Sequence, residues 1–251
     1  MATAVAIFCA AALAGAQKQG HASKNPPPAS APVPFAVGER LEYAAHWNGF
    51  VTAATVRLAV TERREFFGQP AWHLQAFAQT IDPVRRLFTL DDQFDSYTDA
   101  ITLESHQYES YIREQTRHED LVVPMATASQ PGRANRRVYV VFPGTSDPVG
   151  MIYRLRTIDW RKDPVARMRI FDGRKFSEIE AHRETTGTQL SLPAGTFTTT
   201  RIALRILQDG VDLPNLKLWI SLSEDAARIP VLFEAEAAIG TVRAELTSRT
   251  P

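Results

Sequence analysis

A chain of 251 residues with 44% apolar content is long enough for one large domain or two small ones with a sizeable core. Lysine plus arginine and aspartate plus glutamate both number 28, so the formal net charge is zero. That balance argues against a general nucleic-acid binder, which carries a basic excess toward the phosphates.

Residues 1–16 read MATAVAIFCAAALAGA and carry no charge from Ala2 to Ala16. The run is shorter than the roughly 20 apolar residues that span a bilayer. It ends in Ala14-Gly15-Ala16, a small-x-small pattern suited to signal peptidase, although the positively charged opening of such a segment is missing. A cleaved signal peptide over 1–16 is therefore expected, with a periplasmic location and no transmembrane span in the mature chain. Cys9, the single cysteine, lies inside this segment. A mature chain without it has no disulfide, no thiolate nucleophile and no cysteine-based zinc site. Ala6-Ile7-Phe8 before Cys9 matches a lipid-attachment signal poorly. Residues 17–34 hold Pro26, Pro27, Pro28, Pro32 and Pro34 and read as a Pro-rich disordered linker. A single β-rich domain is expected over 35–249.

Through that domain the dominant period is two. In LEYAAHWN, Leu41, Tyr43, Ala45 and Trp47 alternate with Glu42, Ala44, His46 and Asn48. TVRLAVTE, WHLQAFAQTI, RRVYVVF, RMRIF, TRIALRIL, LKLWISL and VLFEAEA behave alike. Such alternation marks strands with one buried and one wet face, as in antiparallel sheet. Turn signals separate them, the clearest being Asp172-Gly173 between RMRIF and KFSEIEA. About a dozen closely spaced strands without helical crossovers predict a mostly β fold: a large antiparallel curled sheet or barrel-like single domain.

DPVGMIYRLR breaks the alternation. Asp147 is a good N-cap and Pro148 suits the first helical position, so one short helix is expected near 148–156. Met151, Ile152, Leu155 and Ile158 would share its buried face, with Tyr153 opposite. Gly150 weakens the helix by about 1 kcal/mol relative to alanine. Arg154 and Arg156 stand near its C-terminal end, where cations suit the dipole, and the expected picture is a small capping helix that plugs a barrel end or lies over a sheet, with its arginines at the rim.

Candidate chemistry is thin. DDQFDSYTD holds Asp91, Asp92, Asp95 and Asp99, but Ser96 and Thr102 stand where a calcium loop needs glycine and glutamate. A polar strand edge running into a turn is the simpler reading, with Asp91, Gln93 and Asp95 on one face and Asp92 beside Phe94. None of the six histidines (His21, His46, His73, His106, His118, His182) forms a helical metal pair. Glu104, His106 and Tyr108 would alternate on one strand face. There is no G-x-S-x-G elbow and no glycine-rich phosphate loop. No metal and no cofactor is expected. NRRVYVVF and RLRTIDWRK mix arginine with aromatics, but a solvated strand face accounts for them better than nucleic acid.

Four pieces stand in order: PFAVGERLEYAAHWNG, DDQFDSYTDAITLES, DPVGMIYRLR and LKLWISLSEDAARIPVLFEAEAAIGTVRAELT. Together they resemble the bacterial exported domain-of-unknown-function family 3108. The ending is carried by Trp219, Ser221, Asp225, Arg228, Pro230, Gly240 and Leu246. Departures are VTAAT, where relatives commonly place a glycine after the first strand turn, and Val149-Gly150 in the helix. The resemblance implies an envelope location and one β-rich domain, and supplies no catalytic residues.

The expected function is a non-catalytic periplasmic domain holding a lipid or other amphiphile in a concave β cavity. The candidate ligand contacts are Trp47, Tyr153, Arg154, Arg156 and Trp219. The alternatives are an envelope hydrolase built on carboxylates and histidines, or a structural partner of an envelope protein complex.

Overall fold

The computed structural model describes residues 33–49, 51–66, 68–127, 138–213, 215–238 and 240–251. The expected signal peptide, Cys9 and nearly all of the proline-rich segment lie outside these residues. Among the described residues the chain forms one sheet with one α-helix. In order the strands are β1 (Arg40–Trp47), β2 (Val51–Phe66), β3 (Gln69–Thr80), β4 (Asp91–Asp99), β5 (Ser105–Arg113), β6 (His118–Thr127), β7 (Tyr139–Val141) and β8 (Thr145–Ser146). Helix α1 (Pro148–Thr157) follows, then β9 (Val165–Phe171), β10 (Phe176–Leu192), β11 (Gly195–Gln208), β12 (Val211–Asp212), β13 (Lys217–Ser223), β14 (Pro230–Ala237) and β15 (Gly240–Thr250).

The hydrogen-bonded path runs β7-β6-β5-β4-β3-β2-β1-β15-β14-β13-β11-β10-β9-β8, with β12 pairing β11 outside it. Pairing is antiparallel except at the two ends, where β7 joins β6 and β8 joins β9 in parallel. Those end strands are separated by only Phe142, Pro143 and Gly144, so the ribbon bends round until its edges nearly meet. The seam is closed by side chains. Gly173, at the β9–β10 turn, has φ +88° and lies so close to β6 that an added Cβ would stand 2.4 Å from Val123 Cγ2. Arg174 pairs with Glu119 of β6, and Tyr139 and Phe142 pack on Phe171 and Phe176 at 5.4 and 5.5 Å.

Much of the expected alternation is observed, but not in RRVYVVF: Arg136 and Arg137 lie outside the described residues, and Tyr139 and Val140 are both exposed. Leu41, Tyr43 and Ala45 of β1 point inward, as do Leu74 and Ala76 of β3 and Leu218 and Ile220 of β13. Three tryptophans pack on or in the core: Trp72 and Trp160 are buried and Trp47 is half-buried. DDQFDSYTD is not an edge, however. It is β4, flanked on both sides by β3 and β5, and only its end, Asp99, opens a turn. The expected alternation of Glu104, His106 and Tyr108 also fails. Thr98 pairs Ser105 and Tyr97 pairs Gln107, so His106 is the extra residue of a bulge.

Helix α1 differs most from expectation. Val149, Met151, Ile152, Tyr153, Leu155 and Arg156 are all buried, so it has no wet face of the kind expected. Tyr153 is fully buried, edge-on to Phe35 at 5.0 Å. Of the two expected placements, plugging a barrel end or lying over a sheet, the helix takes the first, with Pro34 and Phe35 against its outer side. Gly150 is what lets it sink so far. A Cβ there would come within 2.9 Å of Thr98 Cγ2 and 3.3 Å of Ser96 Oγ on β4.

Three polar devices hold the plug. At the N-terminus, buried Asp147 accepts hydrogen bonds from the Val149 and Gly150 amides at 2.9 and 2.8 Å, from Ser105 Oγ at 2.6 Å and from Ser96 Oγ. In the last turn, Arg156 is 0% exposed, not at a rim. It forms a bidentate pair with Glu39 at 2.6 and 2.8 Å and donates to the Pro34 and Ala227 carbonyls, each at 2.9 Å. At the C-terminus, Arg228 Nη1 meets the carbonyls of Arg156, Thr157 and Ile158 at 3.3, 3.2 and 3.2 Å. These are among the carbonyls that a helix end leaves without intrahelical partners.

Candidate functional site

The outer face of β2–β6 carries an ordered array of polar and aromatic side chains. Register sets it out in rows across the strands. One runs Glu62, His73, Tyr97, Gln107 and Pro124. The next runs Ala59, Gln75, Asp95, Glu109 and Val122, and the third Arg57, Phe77, Gln93, Tyr111 and Asp120. Asp95 and Glu109 stand directly opposite each other at its centre.

The array is knitted together. Asp95 accepts from His73 Nε2 at 2.7 Å, Gln75 Nε2 at 3.0 Å and Gln93 Nε2 at 2.7 Å. Glu109 accepts from Gln107 Nε2, and from Tyr111 Oη at 2.6 Å. Tyr97 stacks on His73 and on Phe66, with ring centroids 4.4 and 4.2 Å apart. Glu62 lies 3.6 Å from the other nitrogen of His73 and pairs with Arg64 at 2.9 Å. Although it is an outer face, Asp95 is only 4% and Gln107 5% exposed, because neighbouring long side chains lie over them.

The electrostatics follow from these contacts. Burial pushes the Asp95 carboxyl up, but His73, Gln93 and Gln75 together outweigh it and hold the group below the usual carboxylate range. Burial and the Glu109 and Asp95 charges push Tyr97 up to about 12. Tyr111 is raised by its hydrogen bond to Glu109 and by burial. Asp95 is thus held toward its charged form.

A second His–Asp pair lies at the end of β4. Burial raises Asp99, but His106, at 3.6 Å, and the Thr102 and Ile101 amides lower it more strongly. Asp95 and Asp99 thus both have folded pKa values below their unfolded value of about 3.9. The stability each contributes is present above that value and is lost as pH falls through the depressed folded one. The expected result is a thermal midpoint that drops as pH is lowered from about 5, with a shallower drop in Asp99→Asn. An unchanged acid limb in that variant, followed by circular dichroism, would count against the assignment.

The residues expected to touch ligand are dispersed. Tyr153 and Arg156 meet, the guanidinium lying 5.4 Å from the ring centroid, inside the plug. Arg154 points elsewhere, donating to the Gly144 carbonyl at 2.6 Å. Burial lowers its pKa, against the opposing pull of Glu104. Trp47 stands at the end of β1 beside Gly240, and Trp219 lies on the outer face of β13. There Trp219 donates to Glu184 at 3.2 Å, with Arg201 4.8 Å from its ring. Inside the sheet, Phe35, Val149, Ile152, Tyr153 and Leu155 join the buried side chains of the strands in one apolar cluster. Sequence reasoning placed Asp91, Gln93 and Asp95 on one face correctly but missed Glu109, Gln107, Tyr97 and Tyr111. YESYIRE alternates, and that was the available signal.

A polar cleft of about 260 Å³ opens where α1 ends, lined among others by Asp159, Arg161, Thr200, Glu224, Asp225 and Arg228. Its charges are largely satisfied by one another. The Gly187 amide, Thr200 and Arg161 hold the Glu224 carboxyl below its ordinary value against the cost of burial. Among the described residues, no cluster of three or more histidine or acidic side chains is placed to hold a metal ion. No helix among them is long and apolar enough to cross a membrane.

The sequence model of DUF3108, a protein family of unknown function, matches residues 42–247. The chain belongs to the DUF3108 family. No curated protein matches it. Among solved structures, it is similar to a β-barrel-like protein of the domain of unknown function DUF1849 from Brucella abortus. Identity is 11%, coverage is 85% of this chain and 97% of that one, and the TM-score is 0.48. It is also similar to a Bacteroides fragilis protein with a YmcC-like fold, at 13% identity, 89% and 100% coverage and a TM-score of 0.39.

In this DUF3108 chain the residues that carried the resemblance serve the plug and the barrel wall. Asp225 Oδ1 accepts from Ser223 Oγ at 2.7 Å and from the Arg228 amide at 3.1 Å. That turn holds Arg228 at φ +44°, an uncommon conformation for a non-glycine residue, from which its side chain caps α1. The Pro230 carbonyl accepts from buried Tyr43 Oη at 2.7 Å. Gly240, at φ +126°, leaves room for Asn48 Oδ1, which would lie 2.3 Å from a Cβ there and which accepts from the Thr241 amide.

Proposed function

We propose that this DUF3108 domain is a non-catalytic binding module of the cell envelope, exported by its N-terminal segment, and that it binds through the outer face of β2–β6. The observation that carries this reading is the cross-strand array around Asp95 and Glu109: hydrogen-bonding groups and aromatic rings set in rows on a rigid sheet. Sites on regular elements hold side chains more tightly than sites on loops.

The test is recovery of bound material. Protein isolated from its own envelope without denaturation should release a small molecule detectable by mass spectrometry, and Asp95→Asn with Tyr97→Ala should lose it. Turnover of a glycoside or ester substrate that Asp95→Asn abolishes would replace this reading with the hydrolase one.

A second reading keeps the amphiphile. The outer half of the β10–β11 hairpin bends at register shifts near Arg183, Thr185 and Thr188. It turns Leu190, Leu192, Ala194 and Phe197 toward the core, and its tip donates from the Ala194 amide to the Leu246 carbonyl at 3.1 Å. An acyl chain under this flap would appear as co-extracted lipid, and a lipid-free extract would remove the reading.

A further inference from the structure

The cleft where α1 ends is a concave site separate from the β2–β6 face. Its volume, about 260 Å³, falls just under the roughly 300–1,000 Å³ of pockets for drug-sized molecules, so it suits one small ring. Three stretches of chain converge on it: the segment after α1, strand β11 and the β13–β14 turn. Ile158, Trp160, Leu222 and Ala226 give it an apolar part. The indole N–H of Trp160 is spent on the Leu155 carbonyl at 3.0 Å, so what Trp160 offers the cleft is apolar ring. The charges at the cleft are matched. Glu224 meets Arg161 at 3.2 Å, Asp159 meets Lys162 at 3.1 Å and Asp225 meets Arg249 at 3.8 Å. Arg228 faces the carbonyls of the helix end, where the dipole is negative. Hydrogen-bonding capacity nevertheless remains. Arg228 meets those carbonyls through Nη1 alone, which leaves the N–H groups of Nε and Nη2. Glu224 is held from three directions, by the Gly187 amide at 2.7 Å, Thr200 Oγ1 at 3.0 Å and Arg161 Nη2 at 3.2 Å. A carboxylate has about four acceptor sites, so one is left on a group already fixed in place.

We infer that this cleft binds one neutral sugar ring. A charged ligand would bring an unmatched charge into a set that is already paired. A neutral ligand has to gain its affinity from hydrogen bonds and apolar contact together. Sugar hydroxyls both donate and accept, so they can use the leftover acceptor of Glu224 and the leftover N–H groups of Arg228 at once. Hydrogen bonds to such charged groups are stronger than those between neutral partners. The C–H face of the ring suits Ile158, Trp160, Leu222 and Ala226. A pocket with an apolar lining and a few fixed polar groups is the usual form of a small-molecule site. This second site does not depend on the array around Asp95 and Glu109.

The experiment titrates the full chain with glucose, galactose, mannose and N-acetylglucosamine, followed by saturation-transfer NMR and calorimetry. Saturable one-site binding of at least one of them is expected. Ala226→Trp should abolish it by filling the cleft. Ala226 is exposed on its turn, so that variant should melt as the wild type does and its loss of binding is not a loss of fold. Glu224→Gln should weaken binding about tenfold, the loss expected when a hydrogen bond to a charged group becomes one to a neutral group. Glu234→Gln, which lies on β14 among Arg201 and Arg243, should bind as the wild type does. Glucuronate and glucosamine, the charged counterparts of glucose, should bind more weakly than the neutral sugars. Absence of saturable binding by all four sugars would overturn the assignment, as would binding that survives in Ala226→Trp. Tightest binding by glucuronate or glucosamine would overturn the neutral class of the ligand.

Discussion

Replacing Arg156 with methionine is expected to destabilise the fold by about 3–5 kcal/mol, the range for breaking one side of a buried ion pair. The guanidinium is fully enclosed and meets Glu39, the carbonyls of Pro34 and Ala227, and the rings of Phe35 and Tyr153 at 5.3 and 5.4 Å. Methionine fills similar space but leaves the Glu39 carboxylate and two carbonyls facing an apolar pocket. For a domain of this size, each kcal/mol moves the thermal midpoint by about 2–4 °C, so a fall on the order of 10 °C is expected. Glu39→Leu alone should cost a comparable amount, because it strands the guanidinium. The double variant Glu39→Leu with Arg156→Met should recover much of the loss, since neither charge is then left buried alone. Denaturant melts of the four proteins give the coupling energy directly. A single-variant loss under 1 kcal/mol would mean that apolar packing alone seats the helix.

The second large effect is expected at Asp147. Its alanine variant removes the N-cap, usually worth about 1 kcal/mol. It also strips the acceptor from two buried serine hydroxyls, and each buried group left unmatched costs about 1–3 kcal/mol. A loss of about 3 kcal/mol is therefore expected for Asp147→Ala, and a smaller one for Asp147→Asn, which keeps an oxygen for the Val149 and Gly150 amides. The pH dependence separates the two contributions. Burial raises the Asp147 carboxyl despite its four hydrogen bonds, so its folded pKa lies above the unfolded one. A carboxyl shifted that way contributes most at low pH and loses that contribution as pH rises between the two values. The advantage of wild type over Asp147→Asn should therefore shrink from pH 4 to pH 7. Paired melts at the two pH values measure it, and an advantage that grows with pH would show that the charged form is the one the fold favours.

These two residues also show how far the chain could be read in one dimension. Asp147 was legible as a cap because Asp-Pro at a helix start is a local pattern whose physics involves the next three residues. Its serine partners were not, since Ser96 and Ser105 arrive from β4 and β5. Arg156 was placed at a rim because a cation near a helix C-terminus satisfies a local rule. What buries it are Pro34, Glu39 and Ala227, each 71 or more residues away along the chain. The face shared by Asp91, Gln93 and Asp95 was likewise legible from period two alone. That Glu109 stands opposite Asp95 was not, because it depends on the β4–β5 register and on the bulge at His106. A one-residue slip there would turn Glu109 to the other face.

By itself, then, the sequence determined the kind of structure: alternation every second residue, turn residues between the runs, one capped helix and the family signature at the end. Those are properties of neighbouring residues, fixed by backbone geometry and by which side chains prefer water. Only the tertiary structure decided between a plugging helix and one lying over a sheet, buried Arg156 against Glu39, and set Asp95 and Glu109 opposite each other on an outer face. Those depend on register, closure and contacts between distant segments, where the energy of a side chain is set by what surrounds it in space.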